Sequence, residues 1–530
     1  MRKKRLALKC VVSLVTVCFF LLTILPNLIS VNAASSSKPT LTYWCNLSGR
    51  IGAHYQNYAQ LPLYQIIMKK FNVNLKFIHP PVGGESEQFN LLIATRQLPD
   101  MIEYSWEGYP GGVQKAIEDK IIIRLNPYLD RYAPNLKKFL DSRPDIKKMM
   151  TTDDGTVYNF PFIRSDKTIC IFYGPMIRKD WLKKLNLQTP ETIDDWYKML
   201  VTFKNRKNEL PGVKTPFYPF SILAYGSNNG NPRRTFDYCG FLCGAWGFKT
   251  DFYVENGKVK FGALHPNFKD FVALLQKWWK EGLIDPDIVT TNNSGIEAKV
   301  LNNQIASFLG LIGGNMGTFL SNKKGTDFDL VGVPYPVLKK GQTPEFSQMD
   351  FLYKKYGTAI TTACKNIPLA MKILDWAYSK EGYMAYNFGI LNKTYVIKDG
   401  KPYYTDLILK DPLGPVSAIS KYTRSQVDGP FIGAKEFAEQ TRLPQQVEAA
   451  ENYAKSKNDK WLPPVSLTKE EAQKLSNIMN TIDTYYDEAF SKLITGKSNN
   501  IEGLVKTLKK MRIEEAIKIY QTAYNRYIKR

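Results

Sequence analysis

Hydrophobic and polar positions alternate, or recur at helical spacing, through most of this chain. Leu41, Tyr43 and Cys45 alternate with Thr42 and Trp44, which predicts a first strand. Leu61 to Phe71 carries apolar residues at helical spacing. Val73, Leu75 and Phe77 alternate with Asn74 and Lys76, a second strand. Glu85 to Gln97 predicts a second helix, and Pro99-Asp100 opens a short strand from Met101 to Tyr104. The order β-α-β-α-β implies a parallel sheet with helices on its faces. In such sheets ligands sit beyond the carboxyl ends of the strands, at the switch point. That rule brings Trp44, Asn46, Tyr104 and Trp106 to a candidate cleft.

Further along, Val157 to Ile163 reads as β-like, and Thr168 to Tyr173 opens a second αβ region. Helices are predicted over Trp181–Leu187 and over Thr192–Phe203, the latter with Thr192 as a plausible N-cap. Phe268–Glu281 is amphipathic and ends at Gly282. Ile305–Leu311 reads as a buried strand, and Met371–Asn387 as one helix. The tail from Thr468 to Arg530 reads as nearly all helical, with breaks at Gly496 and Gly503.

The amino terminus follows a different pattern. From Cys10 to Leu25 every side chain is apolar, Ser or Thr, behind a basic head and ahead of Pro26 and a small residue at Ala33. This order predicts a secretory signal peptide over residues 1–33 and an exported protein. The apolar run of 16 residues is shorter than the ~20 a spanning helix needs; an uncleaved anchor is the alternative. Cys10 follows Lys9, and Cys18 follows Val17 in mid-run, so no lipoprotein cleavage site is evident.

Composition narrows the function classes. The 530 residues are 44% hydrophobic and 13% aromatic, a globular composition with room for several structural units. Three His argue against a His-based metal centre or relay. There is no phosphate loop, no Gly-x-Ser-x-Gly elbow in the mature region, no His-Glu-x-x-His and no twelve-residue calcium loop. No cofactor and no metal are expected. Asp153-Asp154, Asp194-Asp195 and Glu514-Glu515 read as turns and caps, although paired carboxylates of a glycosidase could hide among 49 acids. The five Cys of the mature part are too few for a disulfide scaffold; Cys239 and Cys243, four apart, leave one bridge open. The net charge of +23 comes with no basic helix or aromatic–basic sheet motif, so nucleic acid is not expected. The pairs Lys339-Lys340, Lys354-Lys355 and Lys509-Lys510 read as solvated faces. An anionic cell envelope, or an anionic oligosaccharide, suits the basic balance. The 31 Tyr, 28 Phe and 9 Trp offer flat faces of the kind sugar rings stack on.

Six segments then combine in order. Leu98-Pro-Asp-Met-Ile102 looks like "LPDII", and Asp154-Gly-Thr-Val-Tyr158 with Pro161 looks like "DGKIYGLP". Ile177-Arg-Lys-Asp-Trp-Leu182, with Leu185-Asn-Leu187 and Pro190, looks like "IRKDWLDKLGL..P". Trp279 to Asp287 looks like "EGLIDPE", Asp375 to Gly389 like "DWLYSEEG....YG", and Gln521 to Tyr527 like "YQEAYDRY". With these segments the chain resembles the family 1 extracellular solute-binding proteins, the receptors of bacterial carbohydrate ABC importers, and in particular their large oligosaccharide-binding branch. It departs from them after Gly389, where Ile390-Leu391-Asn392-Lys393 replaces the usual Glu-Gly.

The resemblance implies an α/β, two-lobe fold like that of periplasmic binding proteins, each lobe a doubly wound sheet flanked by helices, with the ligand cleft between lobes. By analogy lobe one holds 36–162 and 350–410, and lobe two 163–349 and 411–530, with Pro161 and Pro336 near the crossings. The implied function is capture of an oligosaccharide by hinge closure and delivery to membrane permease subunits, by a monomer that is not an enzyme. A receptor serving a signalling kinase and a secreted carbohydrate-active enzyme are the alternatives. Tyr173, Arg178 and Trp246 of lobe two join the four lobe-one residues as expected ligand contacts. For Arg178, next to Asp180, a structural contact at a helix start competes with that role.

Overall fold

Burial alternates along β2 (Asn74–Ile78) as the pattern requires, whereas β1 (Thr40–Trp44) is buried on both faces at its end; the two pair in parallel, as do β1 and β3 (Met101–Tyr104). Leu41, Tyr43 and Cys45 enter one core layer, while Trp44 enters the layer on the opposite face. The computed structural model describes residues 38–225 and 228–530; the expected signal peptide lies outside them. The sheet continues beyond the β-α-β-α-β unit and becomes mixed. Strand β4 (Phe160–Arg164), the antiparallel β11 (Tyr353–Ile360) and β14 (Ile432–Gly433) complete six strands in the order β14-β4-β11-β3-β1-β2.

A second sheet of four strands has the order β10-β5-β9-β6. It is built from β5 (Tyr173–Arg178), β6 (Tyr218–Ile222), β9 (Ile305–Leu311) and β10 (Leu330–Gly332). Strand β6 runs parallel to β9, while β5 is antiparallel to both its neighbours. Two hairpins, β7–β8 (Phe252–Glu255 with Lys258–Phe261) and β12–β13 (Tyr395–Lys398 with Lys401–Tyr404), stand apart. Each sheet has its own core. Trp181, Trp196 and Trp278 are all fully buried in the second; truncating one such side chain to alanine costs about 3–5 kcal/mol. Two lobes result, joined where the chain leaves one sheet for the other: after β4, after β10 and after β14.

The third crossing corrects the expected boundary. Strand β14 pairs with β4, and Ile408, Ala418, Ile419 and Phe437 share a core with Phe388 and Tyr404. Residues 411–441 therefore run with the first sheet. The chain changes lobe before the helix Pro444–Tyr453, where Asn452 donates to the Gly332 carbonyl of β10 at 2.7 Å.

Other differences have local causes. Asp166 accepts from the Thr168 amide and caps a 3-10 turn over Lys167–Ile169, so the strand expected at Thr168 begins at Tyr173. The helix expected over 371–387 is two helices, Ile367–Trp376 and Lys380–Asn387. Ser379 caps the second through the Gly382 amide, and a Cβ on Gly382 would stand 1.8 Å from the Trp376 carbonyl oxygen. This close approach explains the glycine in the Ser-Lys-Glu-Gly segment. In the tail, Gly503 lies inside the helix Ile501–Lys510, and Arg512, at φ +71°, makes the break instead. All five cysteines of the described residues are buried and free, so Cys239 and Cys243 are not bridged.

Candidate functional site

The lobe-one wall of the interlobe groove begins where β1 ends. A short helix, Gly49–Gly52, follows β1 and presents Arg50, an exposed residue whose Nη1 donates to the Gln426 carbonyl at 2.8 Å. Lys354 of β11 donates to the Asp428 carboxylate at 2.8 Å, and Lys355 to Glu107 at 2.6 Å. Gln426 and Asp428 belong to one loop, which is held from beneath. Arg424 and Glu103, both about 1% exposed, form a two-pronged pair at 2.9 and 2.7 Å. Arg424 also donates to the Tyr64 hydroxyl and to the Asp428 carbonyl. Tyr43 and Tyr356 donate to the same Glu103 carboxylate. Burial of the guanidinium opposes its charge, but the nearby Glu103 carboxylate prevails and holds the Arg424 pKa well above its ordinary value.

The lobe-two wall is aromatic. Tyr225, just past the end of β6, stacks on Tyr238 with ring centroids 4.4 Å apart and planes at 10°. Phe172 lies 5.6 Å from Tyr225, and the Arg164 guanidinium sits over Phe172 at 4.9 Å. All three rings are half-buried. Tyr225 lies within electrostatic reach of both Arg50 and Lys354 from the other lobe. Farther along, Arg234 pairs with Asp483 at 2.6 Å, and Tyr520 lies within electrostatic reach of Glu107 in lobe one and of Asp251 and Asp483 in its own lobe.

The two walls are tied at the crossings. Asp350 accepts from Arg164 at 2.6 Å and from the Tyr238 hydroxyl at 3.0 Å. Gln348, fully buried, accepts from the Phe172 and Tyr173 amides and donates to the Cys170 carbonyl. One network thus joins two crossings to the tyrosine stack. At the other end, Arg526 pairs with Asp153 at 2.6 Å and Lys469 with Glu118 at 3.3 Å, both between lobes. Among the described residues, no group of three His, Cys, Asp or Glu side chains could hold a metal ion.

The family model described as "Bacterial extracellular solute-binding protein" matches residues 58–384. The chain belongs to this family. As a solute-binding protein it is similar to the fructooligosaccharide ABC transporter substrate-binding protein FusA of Streptococcus pneumoniae, with 26% identity over 83% of this chain and 82% of that one. It is also similar to the polygalacturonan/rhamnogalacturonan-binding protein YtcQ of Bacillus subtilis, with 25% identity over 43% and 42% of the two chains. Among solved structures it is similar to the alginate-binding protein AlgQ2 without calcium ion. That likeness has a TM-score of 0.74 and 25% identity, and covers 92% of this chain and 99% of the other. These relatives are binding proteins rather than enzymes. Among the described residues no helix is long and apolar enough to cross a membrane.

Within this solute-binding protein the expected contact residues fall into two groups. Trp44, 2% exposed, and Trp106, fully buried, pack with Phe89, Tyr109 and Tyr158 beneath the sheet, and have no open face for a ring. Tyr173 is fully buried and donates to the Leu223 carbonyl. Arg178 is buried between Trp181 and Phe328, with Asp180 taking two of its N–H groups and Asn303 a third. For these four the expected ligand contact is corrected to a packing role, because core partners occupy the surfaces a sugar would use. Asn46, Tyr104 and Trp246 remain half-buried; Tyr104 stacks on Phe89 at 3.9 Å, Trp246 leans on Phe271 at 6.4 Å, and the buried Asn46 Oδ1 has no partner among the described residues. The pair Lys354-Lys355, expected as a solvated face, is ion-paired on the groove wall. Arg50, Tyr225 and Tyr238 escaped sequence reasoning. The strand-end rule applied to β6 would have reached Tyr225.

One strand-end group is pH-sensitive. His79 follows β2, and its Nδ1 donates to the Cys45 carbonyl at 2.8 Å while its Nε2 accepts from the Tyr58 amide at 3.2 Å, which fixes the neutral tautomer. Desolvation lowers its pKa below the ordinary 6.5. The unfolded chain then binds the proton more tightly than the folded one. The stabilisation is complete above about pH 6.5 and is lost as pH falls through the folded value. The melting temperature should be lower at about pH 5 than at about pH 7.5, and His79→Phe should flatten part of that slope. An unchanged slope in the variant would contradict this assignment.

Proposed function

We propose that this chain is the extracellular receptor of an ABC importer, and that it captures an oligosaccharide between its lobes by hinge closure and hands it to membrane permease subunits. The proposed lobes are 38–164 with 353–441, and 173–332 with 444–530. The observation that carries the reading is the Tyr225–Tyr238 stack, whose Tyr225 lies within electrostatic reach of Arg50 and Lys354 of the other lobe in a chain of this family. Stacked phenol rings offer a sugar its apolar C–H face, and the charged wall offers hydrogen bonds to its hydroxyls. Asn46, Tyr104 and Trp246 are proposed as further contacts. A ligand can shift the hinge only through contacts made in the closed state, and groups on both walls supply such contacts. The relatives' ligands support the substrate class, and the receptor is proposed to act as an exported monomer.

The test is isothermal calorimetry and thermal shift with a panel of fructo-, galacturono- and mannurono-oligosaccharides. The expected result is saturable 1:1 binding by one class, a raised melting temperature, and sugar recovered intact by chromatography. Failure of every saccharide to bind would sink the reading, and recovery of shortened sugars would replace it with an enzyme.

A further inference from the structure

Three cations stand together on the lobe-one side of the groove and its hinge: Arg50, Lys354 and Arg164. Two have carboxylate partners, Lys354 with Asp428 and Arg164 with Asp350. Arg50 has none within 4 Å among the described residues, although the Asp428 carboxylate that Lys354 holds lies within its electrostatic reach; its one hydrogen bond to protein goes from Nη1 to the Gln426 carbonyl. A guanidinium presents five N–H donors, so most of Arg50's fork stays open, on an exposed residue. Its surroundings nonetheless strip water from the charge, and desolvation is the leading influence on it. A cation that solvent still reaches but that is crowded by protein is a groove-wall cation, and it gains most from an anion that arrives with the ligand. The group is also held in place. Its acceptor Gln426 sits in the loop that the buried Arg424–Glu103 pair anchors, so little ordering remains to be done on binding. Tyr225 of the flat Tyr225–Tyr238 stack lies within its electrostatic reach from the other lobe.

We propose that Arg50, with Lys354 beside it and the Tyr225–Tyr238 stack facing it, forms a subsite for a carboxylated sugar unit, so that the ligand is an anionic, uronate-type oligosaccharide. This rests on the oligosaccharide-receptor reading and narrows it. The pyranose ring lies on the tyrosine face, and its carboxylate takes the open N–H pair of the guanidinium, the geometry for which arginine is suited and lysine is not.

The test is calorimetry of the full mature protein and of Arg50→Met with four probes: trigalacturonate, trimannuronate, carboxyl-reduced trigalacturonate and the neutral fructan kestose. At least one uronate should bind the unaltered protein more tightly than the neutral probes. Arg50→Met should weaken that binding about ten- to a hundredfold and should weaken any neutral binding by a clearly smaller factor, because a hydroxyl loses only a hydrogen bond where a carboxylate loses its counter-charge. Arg50→Lys should restore only part of the loss. Should the Met variant fold poorly, the salt dependence of the unaltered protein decides. Uronate affinity must fall as ionic strength rises from about 0.05 M to about 0.5 M, while a neutral ligand's does not. Kestose bound with neither uronate bound overturns the subsite and leaves the receptor reading standing. Uronate binding indifferent to Arg50→Met and to salt also overturns it. Silence from every saccharide defeats both.

Discussion

Glu103→Ala should destabilise the folded protein by about 3–5 kcal/mol, the largest effect expected of any single polar substitution in lobe one. The pair it breaks is buried on both sides, and the guanidinium of Arg424 has no water to fall back on. Removing the carboxylate also strips an acceptor from the Tyr43 and Tyr356 hydroxyls, although Tyr43 keeps its bond to Thr358. Arg424→Met should cost a similar amount, because it leaves the carboxylate buried. The double change Glu103→Leu with Arg424→Met should recover much of the loss, since a buried pair replaced as a unit is often close to neutral. Urea denaturation of the unaltered protein, the two single variants and the double variant measures the losses and the recovery. Single variants that lose less than about 1 kcal/mol would show that the pair carries little. Because the same arginine anchors the loop bearing Gln426 and Asp428, the single variants should also bind sugar more weakly at temperatures where they remain folded.

Asp350→Ala is expected to rank next and to act on ligand binding more directly. Its carboxylate gathers Arg164 and Tyr238 at the place where the chain passes between lobes. Without it, the mostly buried Arg164 loses its only carboxylate partner within 4 Å among the described residues, at a cost of about 3 kcal/mol. The Tyr238 hydroxyl loses its acceptor as well, and the tyrosine stack loses its tie to the hinge. Sugar affinity should fall about tenfold, equivalent to about 1.4 kcal/mol. Tyr238→Phe, which removes one hydrogen bond and keeps the ring, should cost only about 1 kcal/mol in stability. Thermal melts and calorimetry on both variants separate the two effects. Equal behaviour of Asp350→Ala and Tyr238→Phe would mean that Arg164 needs no counter-charge.

Where the fold was legible in the sequence, the information was local. Alternation marks the strand at Leu75 because one face of it is exposed, and a continuous apolar run marks Ile305–Leu311 because both faces are buried. The helix cap at Thr192 is legible for the same reason, since the cap and its N3 partner Asp195 are three residues apart. Long-range partnership leaves no such mark. Strand β11 pairs Thr358 with Phe160, and β14 pairs Ile432 with Ile163, so neither the mixed character of the first sheet nor the late crossing shows in a periodicity. The site divides along the same line. Strand ends can be located in the sequence, but whether a strand-end ring faces solvent depends on what covers it. Phe89 covers Tyr104 and packs beside Trp44 and Trp106. Arg50, Lys354 and Tyr225 become neighbours only when three distant segments fold together.

The thiols offer a practical route to testing the proposed hinge closure. The five cysteines of the described residues are buried and unpaired, and burial pushes Cys170 up to about 11 and Cys239 up to about 12, so these two hold almost no reactive thiolate near neutral pH. A single cysteine engineered on each rim should therefore take a fluorophore while the native ones stay unlabelled. Energy transfer between the two dyes would then report opening and shutting in real time, with no need for a cysteine-free background.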